Sequence, residues 1–241
     1  TLRRKIACIK VFYNYLKYQH IIEENPFNQL RFQFRTEKIL PKTIPYDILK
    51  NIFSYLEQRV VISKTDYQKQ KAERNLLIIS LLLSTGIRIS ELCHIHLKDI
   101  NLSNKTLHII GKGKKERILF LGDQTTFNLL ETYINKTRNE SNDFLFPGKH
   151  SLKPLSEQSV RLVIKRIVEQ NNFSRTITPH MFRHSFATML LDSDVDIRYI
   201  QQILGHSSIS ITQIYTHVSH SKQKEILSSF NPISVIHSEI E

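Results

Sequence analysis

Six residues of chemically useful type follow one another in a defined order. They are Arg88 in Thr85-Gly86-Ile87-Arg88, Lys112 in Gly111-Lys112-Gly113-Lys114, and His180 and Arg183 in Thr178-Pro179-His180-Met181-Phe182-Arg183. His206 follows in Leu204-Gly205-His206-Ser207, and Tyr215 in Thr212-Gln213-Ile214-Tyr215-Thr216-His217. Together they supply a nucleophile, proton carriers and cationic clamps for one phosphodiester.

A free phenol ionises near pH 10, so about one tyrosine in a thousand is deprotonated at pH 7, a deficit of roughly 4 kcal/mol. Attack by Tyr215 on phosphorus therefore requires a proton acceptor or a strong positive field, and His206 stands near it in sequence. His180 and Arg183 are three residues apart and share one face of a first helical turn that Thr178 caps and Pro179 opens. The free N–H groups and positive dipole of such a helix start suit an anion. His180 reads as a proton acceptor and Arg183 as an oxygen clamp. Arg88 follows the Gly86 turn and opens another helix, and its planar, always-charged guanidinium suits a phosphate better than an ammonium does. Glu91 is placed either to hold Arg88 or to support another member of the site.

Lys112 lies at a glycine-flanked hairpin tip, from which a lysine can protonate a departing alkoxide. Spacing leaves open which local lysine acts. Each feature alone also fits ordinary structure: a half-buried tyrosine, a capped core helix, a solvated charge run of Lys112, Lys114, Lys115 and Arg117. Only their joint occurrence in this order points to a site. His184 follows His180 by four residues, but the helix lacks the glutamate of a zinc-protease motif and any cysteine partner, so no metal is expected.

The elements that must position these residues are mostly helical. Leu2–His20 carries Ile6, Ile9, Phe12, Tyr13 and Leu16 at near-helical spacing. Residues 25–44, rich in proline and charge, read as a linker. One helix cannot bury its own apolar face, so residues 1–24 read as the last helix of a helical domain. Pro45–Gln58 is predicted as a helix capped near Thr43 or Ile44, and Ala72–Ser84 as an apolar helix ended by a left-handed Gly86. Ile87–His94 restarts as a short helix. The period then changes: Lys105–Ile110 and Glu116–Leu121 form a hairpin, with Leu97–Leu102 as a third strand. Helices are expected again over 123–138, 156–170, 179–191, 196–204, 208–216 and 219–229, and Pro232 argues against continuation into the tail. The fold class is mainly α with a small antiparallel β-sheet (α+β).

The chain has 241 residues, of which 40% are hydrophobic, and a formal charge of +12 from 34 Lys+Arg against 22 Asp+Glu. That balance favours a polyanionic partner, nucleic acid before an anionic membrane surface. Cys8 and Cys93 read as reduced and buried, as in a cytosolic protein. The apolar run Leu76–Leu83 is too short to span a membrane, and no secretion signal is visible. A chain beginning at Thr1 is expected to have its natural start upstream.

The segments Ser84-Thr85-Gly86-Ile87-Arg88-Ile89-Ser90-Glu91-Leu92, Ile110-Gly111-Lys112-Gly113-Lys114-Lys115-Glu116-Arg117, Thr178–Thr188, Leu204-Gly205-His206-Ser207 and Thr212–Val218 resemble the tyrosine recombinases, the phage-integrase and Xer-like family. The resemblance runs from about Pro45 to Phe230. It implies a catalytic domain over 45–230, preceded by a remnant helix of a core-binding domain (1–24) and the linker 25–44. The tail, 231–241, and the segment Ser219–Phe230 are the candidates for docking on a neighbouring protomer.

The resemblance implies that Arg88 and Arg183 hold the non-bridging oxygens of the scissile phosphate and that Lys112 protonates the 5′ oxygen. It further implies that His180 assists proton transfer, that His206 hydrogen-bonds the phosphate, and that Tyr215 forms a 3′-phosphotyrosyl link. The implied function is site-specific recombination of double-stranded DNA carrying recombination-site repeats, by four protomers on two duplexes, in the cytoplasm of a bacterium or from a phage or mobile element, with no cofactor. Two alternatives remain at this point: a non-cleaving DNA-binding regulator and a type IB topoisomerase-like enzyme. Further DNA contacts are expected from Lys114, Lys115 and Arg117 and from the helix 156–170. That helix, with Gln158, Arg161, Lys165 and Arg166, either enters a groove or forms a solvated basic face.

Overall fold

The structure, a computed structural model, describes residues 2–30, 42–111, 116–137, 143–148, 153–205 and 220–237. The expected hairpin tip, the helix 208–216, most of the linker and the last residues of the tail lie outside these. The chain divides into two compact units, Thr1–Leu40 and Pro41–Glu241.

In the first unit, α1 (Leu2–Tyr18) is followed by a 3-10 turn, Pro26–Asn28. Asn25 ties the two together. Its Oδ1 accepts from the Phe27 N–H at 2.9 Å, and its Nδ2 donates to Asn14 Oδ1 at 2.6 Å. The Phe27 ring lies 5.4 Å from that of Tyr13. The expected apolar face is half-buried at Ile6, Tyr13 and Leu16 and exposed at Ile9 and Phe12. Cys8, expected inside, is exposed and free, because it lies off the stripe that meets the turn.

The second unit is built around α3 (Asp66–Thr85), which is buried without interruption from Leu76 to Thr85. A helix buried on all sides is apolar all round, and α3 packs against α2 (Tyr46–Val61), α5 (Gln124–Thr137), α7 (Pro179–Asp192) and α10 (Pro232–His237). Thr65 caps its start, its hydroxyl accepting from the Gln68 N–H. Pro45 itself occupies the cap position of α2, not Thr43 or Ile44. The Ile44 N–H instead donates to Ser185 Oγ at 2.8 Å, tying the entry of α2 to α7.

Gly86 ends α3 at φ +60°, and a Cβ there would stand 2.5 Å from Phe186 Cδ1 and 2.7 Å from Leu204 Cδ2. The position needs both a left-handed backbone and an absent side chain. Gly86→Ala is therefore expected to lower stability by about 2–4 kcal/mol, from left-handed strain and overpacking together. Urea unfolding against the wild type checks this.

After α4 (Ile89–Cys93) comes a 3-10 turn, Leu97–Asp99, and a three-stranded antiparallel sheet in the order β1 (Ile100–Asn101), β2 (Thr106–Ile110), β3 (Glu116–Phe120). The third strand is shorter than the sequence suggests, because residues 97–99 turn before they pair. Ile109 lies opposite Arg117, and Leu107 opposite Leu119. Leu107, Ile109 and Leu119 point into the core while their neighbours face outward, the two-residue alternation of a half-covered sheet.

Helices α6 (Glu157–Gln170), α7, α8 (Ile197–Leu204) and α9 (His220–Ser229) complete the unit. Pro232 does not end helical structure but opens α10, where a proline has no N–H to lose. Ile226, Leu227, Ile233 and Ile236 are all buried in the unit's own core. Asn231 between the two helices is buried and donates to Ser84 O, and Ser234 Oγ donates to Asp123. The close backbone passage of Leu227 over Gly122, just past β3, leaves no room for a side chain at Gly122.

Candidate active site

Arg183 lies one helical turn into α7 and is 7% exposed. Thr178 and Pro179 open that helix as the sequence suggests, although the Thr178 hydroxyl makes no capping hydrogen bond. Arg183 Nη1 donates to Gly86 O at 2.6 Å and Nη2 to Leu204 O at 2.7 Å. Both acceptors are carbonyls at helix ends, where they carry partial negative charge and lack helical partners. Two of the five N–H donors of the guanidinium are thus used for anchoring, and the others make no hydrogen bond among the described residues. Burial, then the cations of Arg88 and Arg117, lower its pKa to about 10, partly offset by Glu91. It remains protonated at neutral pH.

Arg88 stands in extended conformation between the Gly86 turn and α4. Its Nη1 donates to Glu91 Oε1 at 2.9 Å and its Nη2 to Gly205 O at 3.3 Å. Arg88 and Arg183 therefore anchor on consecutive residues at the end of α8, and the sequence places His206 immediately after them. Glu91 is buried, and its Oε2 also accepts the Arg88 backbone N–H at 3.0 Å.

Arg117, expected among the DNA-facing basic residues, turns inward. Its Nη1 and Nη2 donate to the two Glu91 oxygens at 2.9 and 2.7 Å, and its side chain is 13% exposed. The sheet register pairs Arg117 with the inward-facing Ile109, on the same face of the sheet, and its long stem carries the charge to α4. Burial raises the Glu91 pKa, and hydrogen bonds and charge from Arg117 and Arg88 outweigh it, leaving the carboxyl at about 2. The cluster holds three guanidiniums around one carboxylate, an excess of positive charge fitted to an anion.

His180 is exposed at the start of α7, on the turn that carries Arg183. The pKa of His184 is lowered by burial and by His180 and Arg183. A groove of about 590 Å³ borders His180, with Arg161, Lys165 and Arg175 on its walls and Ile89, Phe173 and Pro179 among its apolar lining. Arg161 and Lys165 are exposed and pair with Glu157 at 2.6 Å and Glu169 at 3.5 Å, contacts weak enough in water to be exchanged. Arg166 is exposed on the same helix. The sequence does not single out Arg175, whose one local signal is its place as a basic residue three positions before Thr178, the N-cap residue of α7. Among the described residues no cluster of His, Cys, Asp and Glu could hold a metal ion. Cys93 is buried, its thiol pushed up to about 12, and serves packing. Lys112, Lys114, Lys115, His206 and Tyr215 lie outside the described residues.

The sequence profile described as the phage integrase family matches residues 53–222. A tyrosine recombinase of Agathobacter rectalis is 52% identical across 98% of this chain and 78% of its own length. The tyrosine recombinase XerC of Bacillus subtilis is 34% identical across 96% of this chain and 75% of its own. Among solved structures, the XerH site-specific recombinase bound to its difH substrate before cleavage aligns with a TM-score of 0.62 and 26% identity, over 90% of this chain and 61% of that one. The integrase of mycobacterium phage Brujita shares the fold, with a TM-score of 0.60 and 21% identity over 98% of this chain and 75% of that one.

This chain belongs to the phage integrase family. It is a tyrosine-type site-specific recombinase, mainly helical with a small antiparallel sheet, as its motifs suggest. Neither the non-cleaving regulator nor the topoisomerase-like alternative gains support from these likenesses. Among the described residues no helix is long and apolar enough to cross a membrane.

Proposed function

We propose that this recombinase cleaves DNA by in-line attack of the Tyr215 oxygen on a scissile phosphate held by Arg88 and Arg183. The phenolic O–P bond forms as the P–O5′ bond breaks, giving a 3′-phosphotyrosyl link and a 5′-hydroxyl. The phenolic proton passes to His180, and Lys112 supplies a proton to the departing oxygen. His206 hydrogen-bonds a non-bridging oxygen. Attack by a 5′-hydroxyl of the partner strand reverses the step, so phosphodiester energy is conserved and no cofactor is consumed.

The observation that carries this reading is the paired anchoring of Arg88 and Arg183 on the carbonyls at the end of α8. Guanidiniums fixed before substrate arrives need no reorganisation as charge builds on the phosphate oxygens, so they stabilise the transition state more than the ground state. The net charge of +12 and the basic groove beside His180 support double-stranded DNA as partner.

Residues 1–24 then serve as the end of a DNA-clamping helical domain, 25–44 as a linker and 45–230 as the catalytic domain. The enzyme acts in the cytoplasm on sites built of repeats, as four protomers on two duplexes. Contacts between protomers through the C-terminal segment would require α9 or α10 to leave or extend the packing that Ile226, Leu227, Ile233 and Ile236 make within their own chain.

A nicked suicide duplex carrying the cognate site tests the reading. Wild type is expected to give a covalent protein–DNA adduct, and Tyr215→Phe is expected to bind the duplex yet give none. An adduct that persists in Tyr215→Phe removes the proposed nucleophile. Relaxation of any plasmid without site preference would favour topoisomerase-like action.

A further inference from the structure

The Arg117 side chain belongs neither to the DNA-facing surface nor to an ordinary surface ion pair. It leaves β3, which begins directly after the segment 112–115, and makes a two-pronged contact with Glu91. Its stem lies against Gly205, the left-handed cap of α8: a Cβ at that glycine would stand 3.1 Å from Arg117 Cδ and 3.3 Å from Nη1. Arg117 thus touches the carboxylate that holds Arg88 and also the turn whose carbonyls hold Arg88 and Arg183.

A buried carboxylate presents about four acceptor directions. In Glu91 these receive Arg117 Nη1, Arg117 Nη2, Arg88 Nη1 and the Arg88 backbone N–H. Were Arg117 absent, Glu91 would be a buried anion with one cationic partner. The geometry favoured by a guanidinium and a carboxylate is then a parallel two-pronged pair. Arg88 would rotate to make it, drawing in the nitrogen that now reaches Gly205 O.

We infer that Arg117 is a positioning residue for strand cleavage: by occupying Glu91 with a fork of its own, it restricts Arg88 to a single side-chain bond with that carboxylate, keeps Arg88 Nη2 on Gly205 O and so holds the other Arg88 donors in place for phosphate. Because it extends from β3, it also ties the hairpin to the arginine pair. The proposal rests on the reading of Arg88 as a phosphate clamp.

The test compares wild type, Arg117→Lys, Arg117→Met, Glu91→Gln and the double variant Arg117→Met/Glu91→Gln. Single-turnover cleavage of the suicide duplex, DNA affinity across a salt series and thermal unfolding are measured for each. Arg117→Met is expected to slow cleavage about 10–100-fold, the range expected when one charged donor of a site is misplaced. DNA affinity should stay within about threefold of wild type with an unchanged salt slope, since no phosphate contact is lost. Arg117→Lys should recover part of the rate, because one ammonium restores the charge without the fork. The double variant should cleave no more slowly than the slower single variant. Arg117→Met should also lose activity at a higher pH on the acid side than wild type, as Glu91 reverts toward an ordinary or raised carboxyl.

A fall of about one in the salt slope, with weakened binding, would make Arg117 a phosphate contact and overturn the inference. So would wild-type cleavage by Arg117→Met, or a rate loss that merely follows the unfolded fraction. If wild type itself forms no Tyr215-dependent adduct, the proposed function fails first. If that adduct forms while Arg117→Met cleaves normally, only the role of Arg117 fails.

Discussion

Arg183→Ala is expected to abolish detectable strand cleavage and to lower the melting temperature together. The two effects share one cause. Arg183 is buried against the Gly86 and Leu204 carbonyls, which end α3 and α8 and have no other partner for those acceptors among the described contacts. Truncation leaves two buried carbonyls unpaired, at about 1–3 kcal/mol each. For a unit of this size a loss of that order lowers the melting temperature by about 5–15 °C. On the chemical side, each lost transition-state donor costs about 100–1000-fold, and Arg183 has more than one donor that no described residue engages. Arg183→Lys separates the two effects: an ammonium keeps the charge but cannot hold both carbonyls and still reach a phosphate in the same plane. It should recover part of the stability while cleavage stays at least about 100-fold down. Single-turnover cleavage and thermal unfolding measured on the same preparations decide it. Cleavage by Arg183→Ala within tenfold of wild type would remove Arg183 from the proposed clamp.

Local signals in the sequence describe local structure well. Gly86 as a left-handed stop, Pro179 at the first position of α7 and the Arg88–Glu91 spacing all follow from neighbours within a few residues. What the sequence conceals is set by distant partners. Arg117 reads as part of a solvated lysine-rich run until the fold brings Glu91 beneath it. The anchors of Arg183 are backbone carbonyls, which have no sequence signature at all. Pro232 reads as a break, and α9 does stop short of it, at Ser229, but the proline opens a new helix: the apolar Ile233 and Ile236 gain enough from burial against α2, α3 and α7 to start it. Cys8 shows the opposite error. An apolar context in a helix predicts burial only when something packs on that side, and the turn at residues 26–28 meets a different stripe.

Glu91→Gln is expected to destabilise the protein by about 3–5 kcal/mol at pH 7, and most of the deficit should be lost on acidification. The magnitude follows from leaving the buried guanidinium of Arg183 and the half-buried one of Arg117, with the partly exposed Arg88, without the carboxylate that offsets them. The amide of glutamine would also point two donors at groups that only donate. The pH dependence follows from linkage. The Glu91 carboxyl ionises at about 2 in the folded protein against an ordinary value of 4.5. A group whose folded pKa is depressed contributes its stability in full above the unfolded pKa and loses it as pH falls through the folded one. For Glu91 that contribution is about 3 kcal/mol, on the order of 1.4 kcal/mol per tenfold change in proton affinity. The wild-type advantage over Glu91→Gln should therefore be constant above about pH 5, shrink between about pH 4.5 and 2, and be small at the acid limit, where both side chains are neutral. Urea unfolding of both proteins across that range, in buffers of equal ionic strength, measures the difference directly. A gap that stays at its neutral-pH size down to pH 2 would mean that Glu91 stabilises the arginine cluster through shape alone. The charge balance assigned to the site would then be wrong.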